Sequence, residues 1–382
     1  MDRQLFDADH DEFRKMVRAF VEREVTPHLE AWDEAGRIDR ALYAKAGATG
    51  LLGFEFDEKL GGLGLHDFRY NAIIDEELAG VGALSVAMGL AALNDLVAPY
   101  LLTLASEEQQ QRWVPALCSG SAVAAIAMSE PNAGSDLRSM QTRAVRDGDD
   151  YVINGSKTFI SNGLTADVLL VVARTGEVSG RHGLSLFVVE ASTPGFSRGR
   201  ALHKIGLKAQ DTAELFFTDL RVPASNLLGE EGEGFTYLMQ NLPRERLSVA
   251  ISAAAAIERV LADTLDHARS RQVFGRPVGA HQHNKFVLAD VASEIQIARV
   301  FVDRCIEELL ADRLTPTDAA MAKWWVTELQ QRAIYRCQQL FGGYGVITEY
   351  PVARAYVDAR ASTIYAGSTE IMKEIIGRSL GL

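Results

Sequence analysis

The chain is organised around the stretch Leu242-Pro243-Arg244-Glu245-Arg246-Leu247, in the first turns of an apolar helix predicted from about Gly234 to Arg271. At helical spacing, Glu245 shares one face with apolar residues; these are Leu238, Leu242, Val249 and Ala256. Burial without a partner destabilises a charged carboxylate, so we expect a raised pKa for Glu245, where a general base works near neutral pH. Pro243 removes one backbone hydrogen bond and predicts a bend just before Glu245. From spacing alone, Glu245 is either the partner of an arginine in a structural ion pair or a catalytic base.

Composition predicts a multidomain protein of a reducing compartment. The chain has 382 residues, with 39 Lys+Arg against 51 Asp+Glu and a formal net charge of -12. This length exceeds one ordinary core, and the acidic balance disfavours a nucleic-acid-binding surface. The three cysteines, at 118, 305 and 337, have no paired spacing, which argues against a disulfide framework. The first residues are unlike a signal peptide, and the apolar stretch Ala83–Leu93 is too short to span a bilayer, so we expect a cytoplasmic protein without membrane contact.

The hydrophobic pattern changes period twice, which predicts an α+β protein of three domains. Residues 1–120 have a helical period, residues 121–228 alternate as strands between turns, and residues 229–382 return to long helical patterns. We therefore expect an N-terminal helical domain, a middle antiparallel β domain and a C-terminal four-helix bundle. The predicted strands are Ala122–Met128, Tyr151–Ile153, Asp167–Ala173, Leu184–Val189 and Ala213–Phe217. The predicted helices of the bundle are Gly234–Arg271, Gln282–Leu310, Asp318–Leu340 and Thr369–Leu380.

One segment of the N-terminal domain allows two interpretations. Residues Gly82–Tyr100 are rich in Ala, Gly and Leu and predict a closely packed helical segment. Small side chains also leave room for an apolar ligand, so a cleft is the alternative.

Four common functional motifs are absent or lack their structural context. Gly195-Phe-Ser197-Arg-Gly199 matches the nucleophile-elbow pattern, but no strand is predicted to run directly into a helix there, so a catalytic Ser197 is not expected. His281 and His283 have no third ligand at a recognisable spacing, and we predict no metal site. The sequence also lacks a Walker A loop and a dinucleotide-binding glycine motif.

Several loops carry groups that suit a polar heterocycle or a phosphate. The loop Met128–Asp136 leaves an apolar strand and offers backbone amides and two hydroxyl groups, while Thr158–Gly163 offers the flat ring of Phe159. Arg271, in the sequence Arg271-Gln-Val-Phe274-Gly275, suits a pyrophosphate. Two further glycine turns, at the end and the start of helices, are Gln339–Gly345 and Tyr365–Glu370. Each of these loops taken alone is also explained as a turn or a helix cap.

Taken together, these motifs resemble those of the acyl-CoA dehydrogenase family over essentially the whole chain. The first two loops resemble its flavin loop and its ring-packing segment, Arg271–Gly275 its diphosphate contact, and Phe341–Gly345 the turn near the adenosine half of the cofactor. That family has two helical domains flanking a β domain, the order predicted above. The pattern is closest to the long-chain subfamily, through Gly206–Phe217, Leu242–Leu247, Tyr356–Arg360 and Glu370–Glu374.

The resemblance implies an FAD enzyme with a defined set of contacts. The implied cofactor-binding residues are Ile126, Met128, Ser129, Ser135, Phe159, Ile160, Ser161, Arg271, Phe274, Gln282, Gln339, Gly342, Gly343, Ser368 and Glu370. The implied substrate-binding residues are Ser135, Arg246, Ala366 and Gly367. The resemblance also implies a homotetramer, in which segments 271–282 and 339–343 complete the cofactor site of a neighbouring subunit, and electron-transfer flavoprotein as the electron acceptor.

The resemblance also bears on which residue is the base. Many family members carry a glutamate in a Tyr-Glu-Gly turn near the C-terminus, whereas this chain has Tyr365-Ala366-Gly367, and an alanine cannot accept a proton. In the long-chain and isovaleryl-type branches the base lies on the helix that corresponds to Gly234–Arg271, at the position of Glu245. The resemblance therefore favours Glu245 as the base over the ion-pair interpretation.

The expected reaction is the FAD-dependent α,β-dehydrogenation of a saturated medium- to long-chain acyl-CoA to the trans-2-enoyl-CoA, as in fatty-acid β-oxidation. The resemblance implies that Glu245 takes the α-proton and that the amide of Ala366 polarises the thioester carbonyl. Asn132 stands where the flavin loop more often has glycine, so an acyl group on a carrier protein is an alternative substrate. A monooxygenase is disfavoured by Glu245, and a flavin-free scaffold is the non-enzymatic alternative.

Overall fold

Helices lie before and after a single large β-sheet in the computed structural model, which describes residues 3–176 and 183–382. The helices before the sheet are α1 (Ala8–Phe20), α2 (Leu29–Ala35), α3 (Ala41–Ala48), α4 (Phe68–Ala79), α5 (Leu84–Asn94), α6 (Ala98–Leu104) and α7 (Glu107–Cys118). The helices after it are α8 (Gly234–Ser270), α9 (Gln282–Leu310), α10 (Pro316–Phe341), α11 (Pro351–Ala359) and α12 (Thr369–Ser379). The predicted order of helices, strands and helices is confirmed.

The sheet is mixed, and most of its strand pairs are antiparallel. Its strands are β1 (Ala124–Ala127), β2 (Arg143–Asp147), β3 (Asp150–Ser161), β4 (Val168–Arg174), β5 (Leu184–Glu190), β6 (Phe196–Ala201), β7 (Thr212–Pro223) and β8 (Leu227–Leu228). The strand order is β6-β7-β3-β2-β4-β5-β8, and β1 also pairs with β4. The pairing of β4 with β1 and its short contact with β2 are parallel, which the prediction of an antiparallel domain did not include.

The strands that the sequence did not predict are β2, β6 and β8. β6 lies at the edge of the sheet and consists mainly of exposed or half-buried residues, so it lacks the apolar alternation of a half-buried strand. Ser197 lies on this edge strand opposite Phe216. The local structure around Ser197 is therefore a strand pair and not a nucleophile elbow.

The central strand β4 separates two hydrophobic cores. Leu169, Val171 and Ala173 pack on one face with residues of β3, β5 and β7. Val168, Leu170 and Val172 pack on the opposite face against the N-terminal helices. A strand that is covered on both faces has apolar residues at every position, which explains the uninterrupted run of apolar residues from Val168 to Ala173.

A third core joins the long C-terminal helices. α8 remains helical through Pro243 over 37 residues, and its small apolar side chains, such as Ala250, Ala253 and Ala254, pack against α9 and α10. Alanine lets neighbouring helix backbones approach closely, and this packing positions the buried face of α8. The bundle helices predicted from the sequence correspond to α8, α9, α10 and α12, while α11 was not predicted.

The stretch Leu84–Leu104 is the most apolar helical segment of the N-terminal part. By length and hydropathy alone it would pass as a membrane span, and 72% of its apolar 18-residue window is buried inside the protein. It is divided into α5 and α6, with the buried polar pair Asn94 and Asp95 at the break. At Gly89 the packing is close, because a Cβ there would lie 2.9 Å from atoms of Ile38 and Tyr43. Close packing therefore explains this part of the segment.

Candidate active site

The carboxylate of Glu245 lies on the buried face of α8. Its side chain is 5% exposed, and Leu238, Leu242 and Ala256 on the same face are also buried. The hydroxyl group of Tyr100, from α6, donates a hydrogen bond of 3.0 Å to Oε1 of Glu245. Burial raises the pKa of Glu245 to about 7, against the opposing effects of the Tyr100 hydrogen bond and the positive charge of Arg246. A carboxylate with this pKa is ionised in part at neutral pH and still basic enough to accept a proton.

The arginines on either side of Glu245 are bound to other groups. Arg244 forms a bidentate ion pair with Glu55, with N–O distances of 3.1 and 2.7 Å. Arg246 donates from Nε to the carbonyl oxygen of Ala366 over 3.2 Å. In the part of the chain that the structure describes, no cation lies within ion-pair distance of Glu245. The structure therefore does not support the interpretation of Glu245 as an ion-pair residue.

A second buried carboxylate lies near the base. Asp95, at the break between α5 and α6, is 2% exposed and accepts hydrogen bonds from Ser248 and Asn71. Burial raises the pKa of Asp95 to about 6, although the positive charge of Arg244 opposes this. When ionised, Asp95 contributes to the raised pKa of Glu245, because a nearby negative charge disfavours a second one.

The turn that follows Tyr365 lies against Arg246 and has a strained backbone. Ala366 has φ of 54° and Gly367 has φ of 100°, both in the left-handed region. The carbonyl oxygens of this turn accept from Arg246 and from Lys323. Among residues 3–176 and 183–382, no acceptor is found for the N–H groups of Ala366 and Gly367. These two backbone donors, in the turn held by Arg246, can therefore bind a carbonyl oxygen of a ligand.

A buried ion pair fixes the start of the loop Met128–Asp136. Lys157 of β3 donates to Glu130 over 2.8 Å and to the Met128 carbonyl over 3.0 Å. Glu130 also accepts from the backbone amides of residues 141 and 142. Burial opposes the charge of Glu130, but Lys157 outweighs this effect and the pKa of Glu130 is lowered. The loop is thus fixed at its start, with Ser129 half-buried and Ser135 exposed.

The strand that pairs with this loop turns one aromatic ring outward. The register of β3 against β7 shifts between Lys157 and Ile160, and Phe159 within this bulge has φ of 58°. A bulge changes the direction of a side chain, and the Phe159 ring is 71% exposed. Ser161 is half-buried, whereas Ile160 is 2% exposed and packs in the sheet core. The side chain of Ile160 is therefore not free to contact a cofactor, so any contact at this position would be through its backbone.

A cavity of about 750 Å³ lies at the other end of α8, between α9 and α10. It brings together four of the residues proposed from the sequence, namely Arg271, Gln339, Gly342 and Gly343. Side chains at the two glycines would meet no neighbouring atoms, and within the described ranges no carboxylate pairs with Arg271. Phe274 and Gln282 do not line this cavity, and the Phe274 ring is 97% exposed. Ser368 and Glu370 lie elsewhere, at the start of α12, where the Ser368 hydroxyl group accepts from the Ile371 amide.

Comparison with known proteins identifies the family. Three family models, for the N-terminal, middle and C-terminal domains of acyl-CoA dehydrogenases, match residues 7–121, 125–220 and 232–381. The chain belongs to the acyl-CoA dehydrogenase family. It is 48% identical over 380 residues to the mitochondrial long-chain specific acyl-CoA dehydrogenase of Sus scrofa, covering 99% of this chain and 88% of the relative.

Solved structures of acyl-CoA dehydrogenases agree with this result. The acyl-CoA dehydrogenase of Geobacillus kaustophilus has a TM-score of 0.97 and 48% identity, and the match covers 100% of both chains. A glutaryl-CoA dehydrogenase of Mycobacterium smegmatis in complex with FADH2 has a TM-score of 0.92 and 28% identity, covering 99% of this chain and 95% of the other. As an acyl-CoA dehydrogenase, the protein is an FAD-dependent oxidoreductase that acts on CH–CH bonds.

The residues of this acyl-CoA dehydrogenase fit FAD in two places. The exposed Phe159 ring and the polar loop at Ser129 suit a flat heterocycle, which needs an apolar face and hydrogen-bonding edges. The Arg271 cavity suits a diphosphate, because it combines exposed glycine backbone with a guanidinium group that has no carboxylate partner among the described residues. Both observations are independent of family membership and agree with it.

Sequence reasoning missed several residues that shape the acyl-CoA dehydrogenase site. These are Tyr100, which contacts the base, Lys157, which anchors the loop at Glu130, and Lys323, which binds the Gly367 carbonyl. The position of Lys323 within an apolar helical segment is a local signal that could have indicated a buried basic side chain.

Proposed function

We propose that this acyl-CoA dehydrogenase converts a saturated medium- to long-chain acyl-CoA to the trans-2-enoyl-CoA, with Glu245 as the base. One observation carries the proposal: the carboxylate of Glu245 is buried, hydrogen-bonded to Tyr100 and without a cation at ion-pair distance among the described residues, and the turn held by Arg246 has at Ala366 no proton-accepting side chain. A base of this kind needs a pKa near the working pH, and the pKa of Glu245 is raised to about 7.

The groups around Glu245 divide the work of removing the α-proton. The N–H groups of Ala366 and Gly367 bind the thioester carbonyl oxygen, on which negative charge grows as the proton leaves. The carboxylate of Glu245 accepts that proton. Bound FAD supplies the acceptor for the β-hydrogen, which leaves with its electron pair as hydride. Closure of the site by apolar residues of α8 excludes water and strengthens each electrostatic contact.

The remaining parts of the proposal concern the cofactor set and the substrate contacts. FAD would be held on one side by Ile126, Met128, Ser129, Ser135, Phe159, Ser161 and the backbone at Ile160. The rest of a cofactor, in part the cofactor of a neighbouring subunit, would be contacted by Arg271, Gln339, Gly342, Gly343, Phe274, Gln282, Ser368 and Glu370. Ser135 and Arg246 contact the pantetheine chain and the thioester. These assignments follow the resemblance, and the Arg271 cavity and the exposed Phe159 ring support them.

We also propose that the protein is a cytoplasmic homotetramer that passes electrons to electron-transfer flavoprotein. Exposed apolar residues on the outer face of α9 support assembly, because such side chains are normally covered in a partner contact. These residues include Phe286, Ile297 and Val300, which are 60%, 60% and 49% exposed. Sedimentation of the purified protein tests the assembly, and reduction of electron-transfer flavoprotein by the substrate-reduced enzyme tests the acceptor.

A chain-length series under anaerobic conditions tests the substrate class. Purified holoenzyme is mixed in turn with saturated short-, medium- and long-chain acyl-CoAs, and loss of the flavin absorbance is followed. We expect the fastest bleaching with medium to long chains. Bleaching by an acylated carrier protein but by none of the acyl-CoAs would contradict the proposal and favour the carrier-protein alternative.

A further inference from the structure

Two buried basic side chains from different helices hold the turn that carries Ala366 and Gly367. Arg246 of α8 donates from Nε to the Ala366 carbonyl over 3.2 Å, and Lys323 of α10 donates from Nζ to the Gly367 carbonyl over 2.6 Å. The two accepting peptide groups are consecutive along the chain. The Ala366 carbonyl shares its peptide plane with the Gly367 N–H, and the Gly367 carbonyl lies in the next plane. Because both planes are held, the backbone torsions of Gly367 between them are fixed, and so is the direction of the Gly367 N–H.

Burial of Lys323 at this position costs folding free energy. Its side chain is 0% exposed, and in the described part of the chain no carboxylate lies within ion-pair distance of its ammonium group. Burial, together with the nearby positive charge of Arg246, lowers the pKa of Lys323 to about 7. An apolar side chain of similar length would avoid the cost of burying an amine. A role in the site therefore explains Lys323 better than a role in stability.

The backbone of the turn does not keep its shape through local preference. Ala366 has φ of 54°, a conformation that an alanine adopts only when its surroundings impose it. Gly367 is confined as well, because a Cβ there would lie 2.5 Å from Cε of Met372. The contacts to the carbonyl oxygens thus supply the constraint that the residues themselves lack.

We propose that Lys323 is a positioning residue: by holding the Gly367 carbonyl, it keeps the Gly367 N–H directed at the thioester carbonyl of the substrate. This inference rests on the proposed function, in which that N–H stabilises the charge developing on the thioester oxygen. A misdirected donor weakens the transition state more than the ground state, because the oxygen is more negative in the transition state. Loss of Lys323 therefore lowers the rate of flavin reduction more than it weakens substrate binding.

The first test compares two substitutions of Lys323 in the holoenzyme. Lys323→Met keeps the side-chain length without a donor, and Lys323→Arg keeps a donor. Under anaerobic conditions we expect the methionine variant to be reduced about 10- to 100-fold more slowly by a saturated acyl-CoA, with a dissociation constant within about threefold of the wild-type value. The arginine variant should recover part of the rate. Thr327→Val, a buried change one turn along α10, is the matched control and should behave like the wild type.

A second readout separates positioning from a packing defect. A 3-ketoacyl-CoA has an acidic α-proton and binds with enolate character, so its affinity reports the donors to the carbonyl oxygen. In Lys323→Met we expect this affinity to fall about tenfold or more, while that for the trans-2-enoyl-CoA changes less than about threefold. Equal losses for both ligands, a wild-type reduction rate, or a variant that folds without retaining FAD would overturn the role of Lys323. A wild-type enzyme that no acyl-CoA reduces would contradict the proposed function instead, and the affinity comparison would still decide on Lys323.

Discussion

Replacing Tyr100 by phenylalanine removes a single hydroxyl group from the surroundings of Glu245. That hydroxyl donates over 3.0 Å to the carboxylate and stabilises its charged form. A hydrogen bond to a charged group contributes about 1.5–3 kcal/mol, and about 1.4 kcal/mol corresponds to one pKa unit. The pKa of Glu245 should therefore rise from about 7 to roughly 8–9 in Tyr100→Phe.

The sign of this shift determines the pH dependence of the reaction. Glu245 accepts a proton only as a carboxylate, so the rate of flavin reduction rises with pH through its pKa. In Tyr100→Phe the midpoint of this rise moves to higher pH, and at pH 7 the ionised fraction falls by about fivefold for a shift of one unit. Above the new midpoint the rate returns to at least the wild-type level, because a base of higher pKa is a stronger proton acceptor.

Stopped-flow measurement of anaerobic flavin reduction between about pH 5 and 10 provides the assay. Tyr43→Phe is the matched control, because Tyr43 is also buried but its hydroxyl group donates to Asn162 and not to a carboxylate. The control should keep the wild-type midpoint. A Tyr100→Phe midpoint that stays unchanged or moves to lower pH would refute the reasoning, as would a rate reduced by the same factor at every pH.

Three further predictions concern stability and cofactor binding. Burial raises the pKa of Glu245 from 4.5 to about 7, so its charge costs about 3 kcal/mol of folding free energy above pH 7 and nothing below pH 4.5. Glu245→Gln should therefore raise Tm at pH 8 but not near pH 4.5. A difference in Tm that does not change with pH would contradict this prediction. Lys157→Met leaves Glu130 buried without its cation and should lower the free energy of unfolding by about 3–5 kcal/mol, measured as a lower Tm. The double variant that also carries Glu130→Gln should recover stability. An unchanged Tm in Lys157→Met would exclude a role of the ion pair in stability. Arg271→Gln should raise the FAD dissociation constant by about tenfold or more in equilibrium dialysis, because a charge-assisted contact is lost. Arg269→Gln, a substitution of an exposed residue nearby, is the control and should leave the FAD dissociation constant unchanged.

The fold was largely accessible from the sequence because its elements have strong periodic patterns. The limits of α9 were predicted to the residue, and the apolar run Asp167–Ala173 predicted a strand where β4 lies. β6 and α11 were missed for the opposite reason. The first is an exposed edge strand with polar residues, and the second is a short helix between turns, so neither has a long apolar period.

The site was predicted only where its residues lie on one element or in one motif. The buried position of Glu245 followed from helical spacing along α8, and its burial is confirmed. The contacts of Tyr100 and Lys323 could not be predicted, because their partners lie 145 and 44 residues away along the chain. Such contacts depend on how helices from different parts of the chain pack, and local periodicity carries no information on that. Ile160 was assigned to the cofactor by motif alone, whereas the bulge at Phe159 turns the Ile160 side chain into the core.

The most direct test of the account is the rate of anaerobic flavin reduction by one good long-chain acyl-CoA in wild type and in Glu245→Gln. The substitution keeps the shape of the side chain and removes its capacity to accept a proton. We expect the variant to bind FAD and the acyl-CoA as the wild type does, and to be reduced about 10²–10⁴-fold more slowly. Glu12→Gln, on the exposed face of α1, is the control and should match the wild type. A Glu245→Gln enzyme reduced within about threefold of the wild-type rate would show that another group takes the α-proton.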